Sequence, residues 1–129
     1  MSSPPYETHH VLALTEILEG LRKRHGIVYA AVFERHFHGR PTAITDSGEM
    51  PLPAGISASG VDEREGLVQL VVAQDCWALA YWVPKTLVTP TFEAAIVDEA
   101  YIMDELVCDA VNASIAARRP RRSQRSMRH

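Results

Sequence analysis

Three side chains able to bind a metal ion stand at alternate positions in the first third of the chain. Glu34, His36 and His38 lie in a segment predicted to be a strand, so all three would point to one face of a sheet. Two imidazoles and a carboxylate are ligands that zinc and non-haem iron accept. The same spacing is typical of a polar strand end leading into a turn, so the metal site is an alternative prediction. Its remote ligands would come from His9, His10, Asp75 and Cys76.

A second pairing of carboxylate and imidazole occurs near the start of the chain. Glu7 and His10 are three positions apart (i, i+3), the spacing found in the carboxylate-bridged di-iron bundles. Those sites need four helices with several inward-facing carboxylates, whereas this chain offers two long helical segments. The sequence therefore does not favour a di-iron centre.

Aromatic side chains cluster in the most apolar stretch of the chain, residues 67–83. Within a strand, Trp77 and Tyr81 share one face, and Trp82 shares the other with Ala78 and Ala80. A face of small residues closed by a Trp leaves space for a flat ligand or for a helix packed close to the sheet. We predict that Trp77, Tyr81 and Trp82 contribute to a ligand-binding site.

The segment 46–66 has no helical or strand periodicity and holds four of the seven glycines. Connections of this length in a compact domain are commonly binding loops, lids or disordered segments. Ser57 and Ser59 lie in a Gly/Ser stretch that lacks the Gly two residues after the serine of a nucleophile elbow. It also lacks the Gly-Lys-Ser/Thr of a phosphate-binding loop. We predict that both hydroxyls contact a ligand held on the sheet, without catalysis.

The charges divide the chain into an acidic body and a basic tail. Residues 1–117 hold seven Lys/Arg and all sixteen Asp/Glu, a net charge of −9, whereas residues 118–129 hold six Arg and no acidic residue. A tail of this kind can neutralise phosphates, and the candidates are Arg118, Arg119, Arg121 and Arg122. It has no aromatic residue to stack on bases, and the acidic body would repel a duplex. We predict a disordered tail, with nucleic-acid association as an alternative function.

The two cysteines, Cys76 and Cys108, lie in apolar segments and form no CxxC motif. We interpret them as reduced thiols that pack as small hydrophobic residues, although a disulfide joining them is geometrically possible. The N-terminus lacks the basic and apolar regions of a signal peptide. The run 67–83 is short for a membrane span and has Asp75 near its middle. These features predict a cytoplasmic protein without membrane association.

Periodicity predicts a first helix from a cap at Thr8 to about Arg24, ended by Gly26, and a second helix from a cap at Thr91 to about Arg118. Strands are predicted from Ile27 to about His38, at Thr42–Thr45, and as an antiparallel hairpin of Leu67–Ala73 and Cys76–Val83. The predicted fold is a single α+β domain over residues 1–117, with a small antiparallel sheet of about four to five strands and both terminal helices on one face.

This order of elements is similar to that of small sensory and adaptor modules such as GAF, profilin-like and roadblock-type domains. No residue motif accompanies the similarity, so it implies no site residue and no cofactor. We expect a non-enzymatic regulatory or binding module that holds a small molecule or a partner protein on its sheet face and the 46–66 loop. Apolar positions on more than one face of the last helix predict a homodimer formed through the terminal helices. The alternatives are a metal-dependent enzyme and a nucleic-acid-associated protein.

Overall fold

In the computed structural model, residues 6–36, 38–49, 61–62 and 66–118 are described. Their elements in chain order are α1 (Thr8–His25), β1 (Tyr29–Glu34), β2 (Thr42–Gly48), β3 (Val61–Asp62), β4 (Leu67–Ala73), β5 (Trp77–Pro84) and α2 (Pro90–Arg118). A short 3-10 helix, Lys85–Leu87, joins β5 to the connection before α2. The predicted α+β class is confirmed: one helix lies at each end of the chain, and the strands between them form an antiparallel sheet.

Helix α1 ends where a glycine permits a left-handed residue. Gly26 has φ 70° and ψ 26°, and its N–H donates to the carbonyl of Arg22. A residue with a Cβ is strained in this conformation, which explains the stop predicted at this position. At the other end, Thr8 is the first helical residue and the N-cap is Glu7, which makes no side-chain capping bond.

Helix α2 begins at Pro90, and its capping residue lies two positions before the predicted cap. The Phe92 N–H donates to Thr89 Oγ1 at 3.0 Å, and Pro90 occupies the first helical position. Proline is favoured there because its missing N–H would have no partner inside the helix. The predicted cap at Thr91 was therefore wrong, because the Thr-Pro pair provides a better start than the second threonine.

The strands form one five-stranded antiparallel sheet in the order β2-β1-β5-β4-β3. Strands β4 and β5 form the predicted hairpin, with Ala73 opposite Ala78 and Leu67 opposite Pro84. Strand β1 is shorter than predicted and ends at Glu34, whereas β2 is longer and extends to Gly48. Gly48 has φ 98°, and a Cβ added there would lie 2.2 Å from the Val28 carbonyl oxygen, so only glycine fits at this close approach of β2 to β1.

Both helices pack on the same face of the sheet and form the main hydrophobic core. Helix α1 contributes Leu14, Leu18 and Leu21, and α2 contributes a longer row that includes Ile96, Met103 and Val107. Side chains of all the longer strands complete this core from below, among them Val32, Ile44, Val72, Trp77 and Tyr81. A second, smaller cluster of Tyr29, Ala31, Ala80 and Trp82 lies on the opposite face of the sheet.

Polar contacts fix α1 to its neighbours. Arg22 Nε donates to Ser47 Oγ on β2 at 3.0 Å, and the hydroxyls of Thr15 and Thr45 are hydrogen-bonded. At the C-terminal end of α1, Arg24 and His25 both bind the Glu99 carboxylate on α2. Among the described residues, neither helix is long and apolar enough to cross a membrane.

Candidate functional site

The sheet face opposite the helices is built from three cross-strand rows. We call it the open face, although its central side chains Tyr29, Ala31, Ala80 and Trp82 are only 2–7% exposed. One row joins Tyr29, Trp82 and Gln69, the next joins Ala31, Ala80 and Val71, and the third joins Phe33, Ala78 and Ala73. Paired residues of antiparallel strands point to the same side, so the register places small side chains between two rows that contain aromatic ones. No helix in the described part of the chain packs on this face.

A cavity of about 400 Å³ lies where the open face meets β2. It is lined by Tyr29, Ala31, Phe33, Ala43, Ile44, Thr45 and Asp46. The strand pairing is irregular here: Val32 faces Thr45 but Phe33 faces Ala43, so Ile44 is an additional residue in β2. A bulge of this kind bends an edge strand and redirects its side chains. The small Ala31, the aromatic neighbours and the bulge together produce the concavity, whose volume is within the range of small-molecule sites.

One hydrogen bond marks the polar end of this cavity. The Tyr29 hydroxyl donates to Asp46 Oδ2 at 2.7 Å, and Asp46 is exposed while Tyr29 is buried. Burial, followed by the hydrogen bond and the charge of Asp46, raises the pKa of Tyr29 well above its usual range. The phenol therefore stays protonated, and the carboxylate presents a negative charge at the rim of an otherwise apolar hollow.

The predicted aromatic ligand residues lie on opposite faces of the sheet. Trp82 belongs to the open face, where its ring centroid is 5.3 Å from that of Tyr29, and it is only 3% exposed. Trp77 and Tyr81 lie in the core beneath the helices; Trp77 Nε1 donates to Asp104 Oδ1 at 2.7 Å. Burial, and then the charge of Glu93, raises the pKa of Tyr81 to about 12. Of these three aromatic residues, Trp82 alone lies on the same face as the cavity, where it packs against the lining residue Tyr29.

The sequence left open whether the Ala78/Ala80 face receives a helix or a ligand. The helices pack on the Trp77/Tyr81 face instead, so the described elements leave the small-residue face without a helix. Cys76 precedes β5 and packs against the helix-covered core. Ser57 and Ser59 lie outside the described residues.

The predicted metal ligands occupy the end of β1 and the turn after it. Glu34 is 4% exposed and accepts a hydrogen bond from the Tyr6 hydroxyl at 2.6 Å. His36 Nδ1 lies 3.8 Å from Glu34 Oε2, and His36 Nε2 is 2.7 Å from Thr42 Oγ1. His38 lies beyond the strand and is exposed. Because β1 ends at Glu34, the alternation of a strand does not bring the three side chains to one face.

In the part of the chain that the structure describes, the group of three metal-ligating side chains whose ligand atoms lie within 4.8 Å of one another is Glu7, His9 and His10. Glu7 Oε1 is 3.6 Å from His9 Nε2 and 3.8 Å from His10 Nδ1. Glu7 and His9 are largely exposed at the first turn of α1, so the three have the character of a surface ion cluster. The metal site predicted at Glu34, His36 and His38 stays a prediction.

The tail residues predicted to bind phosphate begin at the last position of α2. The helix ends at Arg118, whose side chain, like residues Arg119, Arg121 and Arg122, lies outside the part of the structure that is described. Nucleic-acid association stays a prediction.

Asp46 and the cavity beside it were not predicted from the sequence. A signal was present: Tyr29, Ala31 and Phe33 alternate on one side of an apolar strand, and Asp46 follows the next strand. The bulge at Ile44 that opens the cavity has no counterpart in the sequence pattern.

The chain was also compared with known proteins. No protein-family model, no curated protein and no solved structure matches it.

Proposed function

We propose that this protein is a non-enzymatic binding module that holds a small molecule in the cavity of the open face. The observation that supports the proposal most is the apolar hollow of about 400 Å³ with one hydrogen-bonded carboxylate, Asp46, at its rim. Binding pockets for small molecules are typically concave and mostly apolar, with few polar groups that orient the ligand. Regulation of a partner through this site is the function we infer for the module.

The lining indicates the chemistry of the ligand. Tyr29, Phe33 and Ala31 provide apolar and aromatic surface, which favours a compact aromatic or aliphatic body. The Asp46 carboxylate accepts hydrogen bonds and carries negative charge, so it favours a donor and, most of all, a cationic amine. We therefore infer a ligand that combines an apolar ring with an amine.

The proposal is tested with phenethylamine, which has this chemistry, and with 3-phenylpropionate as a probe of similar size and opposite charge. Titration of uniformly ¹⁵N-labelled protein is expected to shift the amide signals of β1 and β2 with the amine and to shift them far less with the carboxylate. Equal shifts with both probes, or shifts confined to the helices, would refute an amine-binding cavity at Asp46.

A specific observation also favours self-association of the module through α2. Val97, Tyr101 and Ile102 are 37%, 61% and 71% exposed, and we call these three residues the α2 patch. Val97 and Tyr101 are four positions apart and lie on the same side of the helix, and Ile102 lies about 100° further around it from Tyr101. Exposed apolar groups of this kind mark interaction surfaces in soluble proteins. We propose that two copies pack through the α2 patch.

A further inference from the structure

The two cysteines of the chain come together although 32 positions separate them. Cys76 lies in the turn between β4 and β5, Cys108 lies in α2, and their Sγ atoms are 3.7 Å apart. Both side chains are free thiols and partly exposed. A disulfide has an S–S distance of about 2.05 Å, so the two sulfur atoms need to approach by only about 1.6 Å to form one. Partial exposure gives a small reagent access to the pair.

Cys108 contacts a carboxylate that is itself hydrogen-bonded to a buried tryptophan. Asp104 lies one turn before Cys108 on α2, with Oδ1 at 3.8 Å from Cys108 Sγ. The same Oδ1 accepts the hydrogen bond of Trp77 Nε1, and Trp77 directly follows Cys76 in the chain. The two thiols therefore contact each other directly, and they are also linked indirectly, because the neighbour of Cys76, Trp77, binds the same Asp104 carboxylate that contacts Cys108. Because Trp77 is fully buried, its hydrogen bond to Asp104 holds the start of β5 against the middle of α2.

We propose that Cys76 and Cys108 are a dithiol redox site that forms an intramolecular disulfide by exchange with a small-molecule disulfide. The thiolate of Cys76 attacks one sulfur of the reagent, the S–S bond of the reagent breaks, and one thiolate leaves. Cys108 then attacks the sulfur of Cys76 in the mixed disulfide, gives up its proton to solvent and expels the second thiolate. In total, two protein thiols are oxidised and one external disulfide is reduced to two thiols.

The surroundings of the two sulfurs assign the order of attack. Burial, then the hydrogen bond and charge of Cys76 and the carboxylate of Asp104, raise the pKa of Cys108 to about 12. Cys108 is therefore protonated at neutral pH, and a protonated thiol is a poor nucleophile towards an external disulfide. Cys76 is the first nucleophile, and Cys108 reacts once the mixed disulfide has formed beside it.

The disulfide between Cys76 and Cys108 would link α2 covalently to the sheet. A bond between Cys76 and Cys108 closes a covalent loop that contains all of β5 and α2 from Pro90 to Cys108. Such a link reduces the conformational entropy of the unfolded chain, so the oxidised protein is expected to have a higher Tm than the reduced one.

The experiment uses the full chain and oxidised glutathione as the probe, with intact mass measured over time. The native protein is expected to lose the mass of two hydrogens, to retain no glutathione, and to regain its mass with dithiothreitol. Cys108→Ser is expected to accumulate one glutathione on Cys76, because the second attack is removed. Cys76→Ser is expected to react at least about tenfold more slowly. Circular dichroism establishes that both nearly isosteric variants are folded.

Three results would overturn the proposal: one glutathione retained on each cysteine of the native chain, a disulfide between two copies, or an absence of reaction in the folded protein while the urea-unfolded chain reacts. Asp104→Asn provides an independent test of the environment. The S–H contact with Asp104 exists only in the reduced form, so its loss is expected to move the glutathione redox midpoint several-fold towards the disulfide. An unchanged midpoint would contradict a role of Asp104 in setting the equilibrium.

Discussion

At the residue scale, Asp46 is the group on which selectivity of the open-face cavity depends. It accepts the hydrogen bond of Tyr29 and remains exposed, so it can face a ligand and solvent together. We expect Asp46→Asn to weaken phenethylamine binding about tenfold, because a charge-assisted contact contributes about 1.5–3 kcal/mol. The amide-shift titration measures this loss. Glu49→Gln, which removes an exposed carboxylate just beyond β2, is the control and should leave the affinity unchanged.

Glu34 is a buried carboxylate whose role we interpret as structural. Its Oε1 accepts the Tyr6 hydroxyl, which ties the segment before α1 to the end of β1. We expect Tyr6→Phe to lower the free energy of unfolding by about 1–3 kcal/mol, since a buried acceptor loses one donor. Urea unfolding measures the change. Thr86→Ala removes an exposed hydroxyl and should change stability by less than about 0.5 kcal/mol; equal effects of the two substitutions would contradict this role.

At the scale of elements, Glu99 joins the two helices. Burial alone would raise the pKa of Glu99, but the hydrogen bonds and charges of Arg24 and His25 outweigh it and lower the pKa below its usual value. A carboxylate with a lowered pKa in the folded state stabilises the fold above its unfolded pKa. That contribution is lost as the pH falls from about 5 through the folded-state pKa.

Glu99→Gln is therefore expected to lose about 1 kcal/mol at pH 7 and to differ less from the native protein as the pH falls below about 4. Urea unfolding at a series of pH values measures the difference. Asp98→Asn, the exposed neighbour on α2, is the control, for which a flat and small difference is expected. A difference for Glu99→Gln that stays constant down to pH 3 would show that the contact does not depend on charge.

Local signals in the sequence were sufficient for most elements. The apolar spacing of Leu14, Leu18 and Leu21 predicted α1, and Gly26 predicted its end, because both depend on interactions within a few residues. The interruption at Gln74–Asp75 predicted the β4–β5 hairpin. Strand ends were harder to predict: β1 ends at Glu34 and β2 extends to Gly48, because pairing between strands sets the limits of both.

At the scale of the whole molecule, the sequence predicted the layers but not the position of the cavity. Alternation showed that Trp77 and Tyr81 face away from Trp82, and both faces were apolar enough to receive a helix. Packing determines which face the helices cover. Large side chains such as Trp77 and Leu79 fill the core beneath α1 and α2, which leaves Ala31 and Ala80 on the open face. This choice depends on contacts between distant segments, which periodicity does not encode.

Self-association is expected to depend on the α2 patch. Light scattering of the native protein should give the mass of a dimer, and Tyr101→Glu should reduce it to that of a monomer by placing a charge in the apolar contact. Leu12→Glu, at an exposed apolar position of α1, is the matched control and should remain a dimer. Asp98 and Glu105 lie next to the patch, so screening of their repulsion should make the dimer tighter as salt is raised. A native monomer at all concentrations would exclude this interface.

The most direct test of the binding module is to fill its cavity. Ala31 lines the hollow, so Ala31→Leu should occupy part of its volume, and Ala73→Leu adds the same group at an exposed position of the open face outside the lining. With both variants folded by circular dichroism, phenethylamine affinity is measured by amide-shift titration. We expect binding to fall at least about tenfold for Ala31→Leu and to stay at the native value for Ala73→Leu. Native affinity in Ala31→Leu, or an equal loss in both variants, would contradict a ligand site in this cavity.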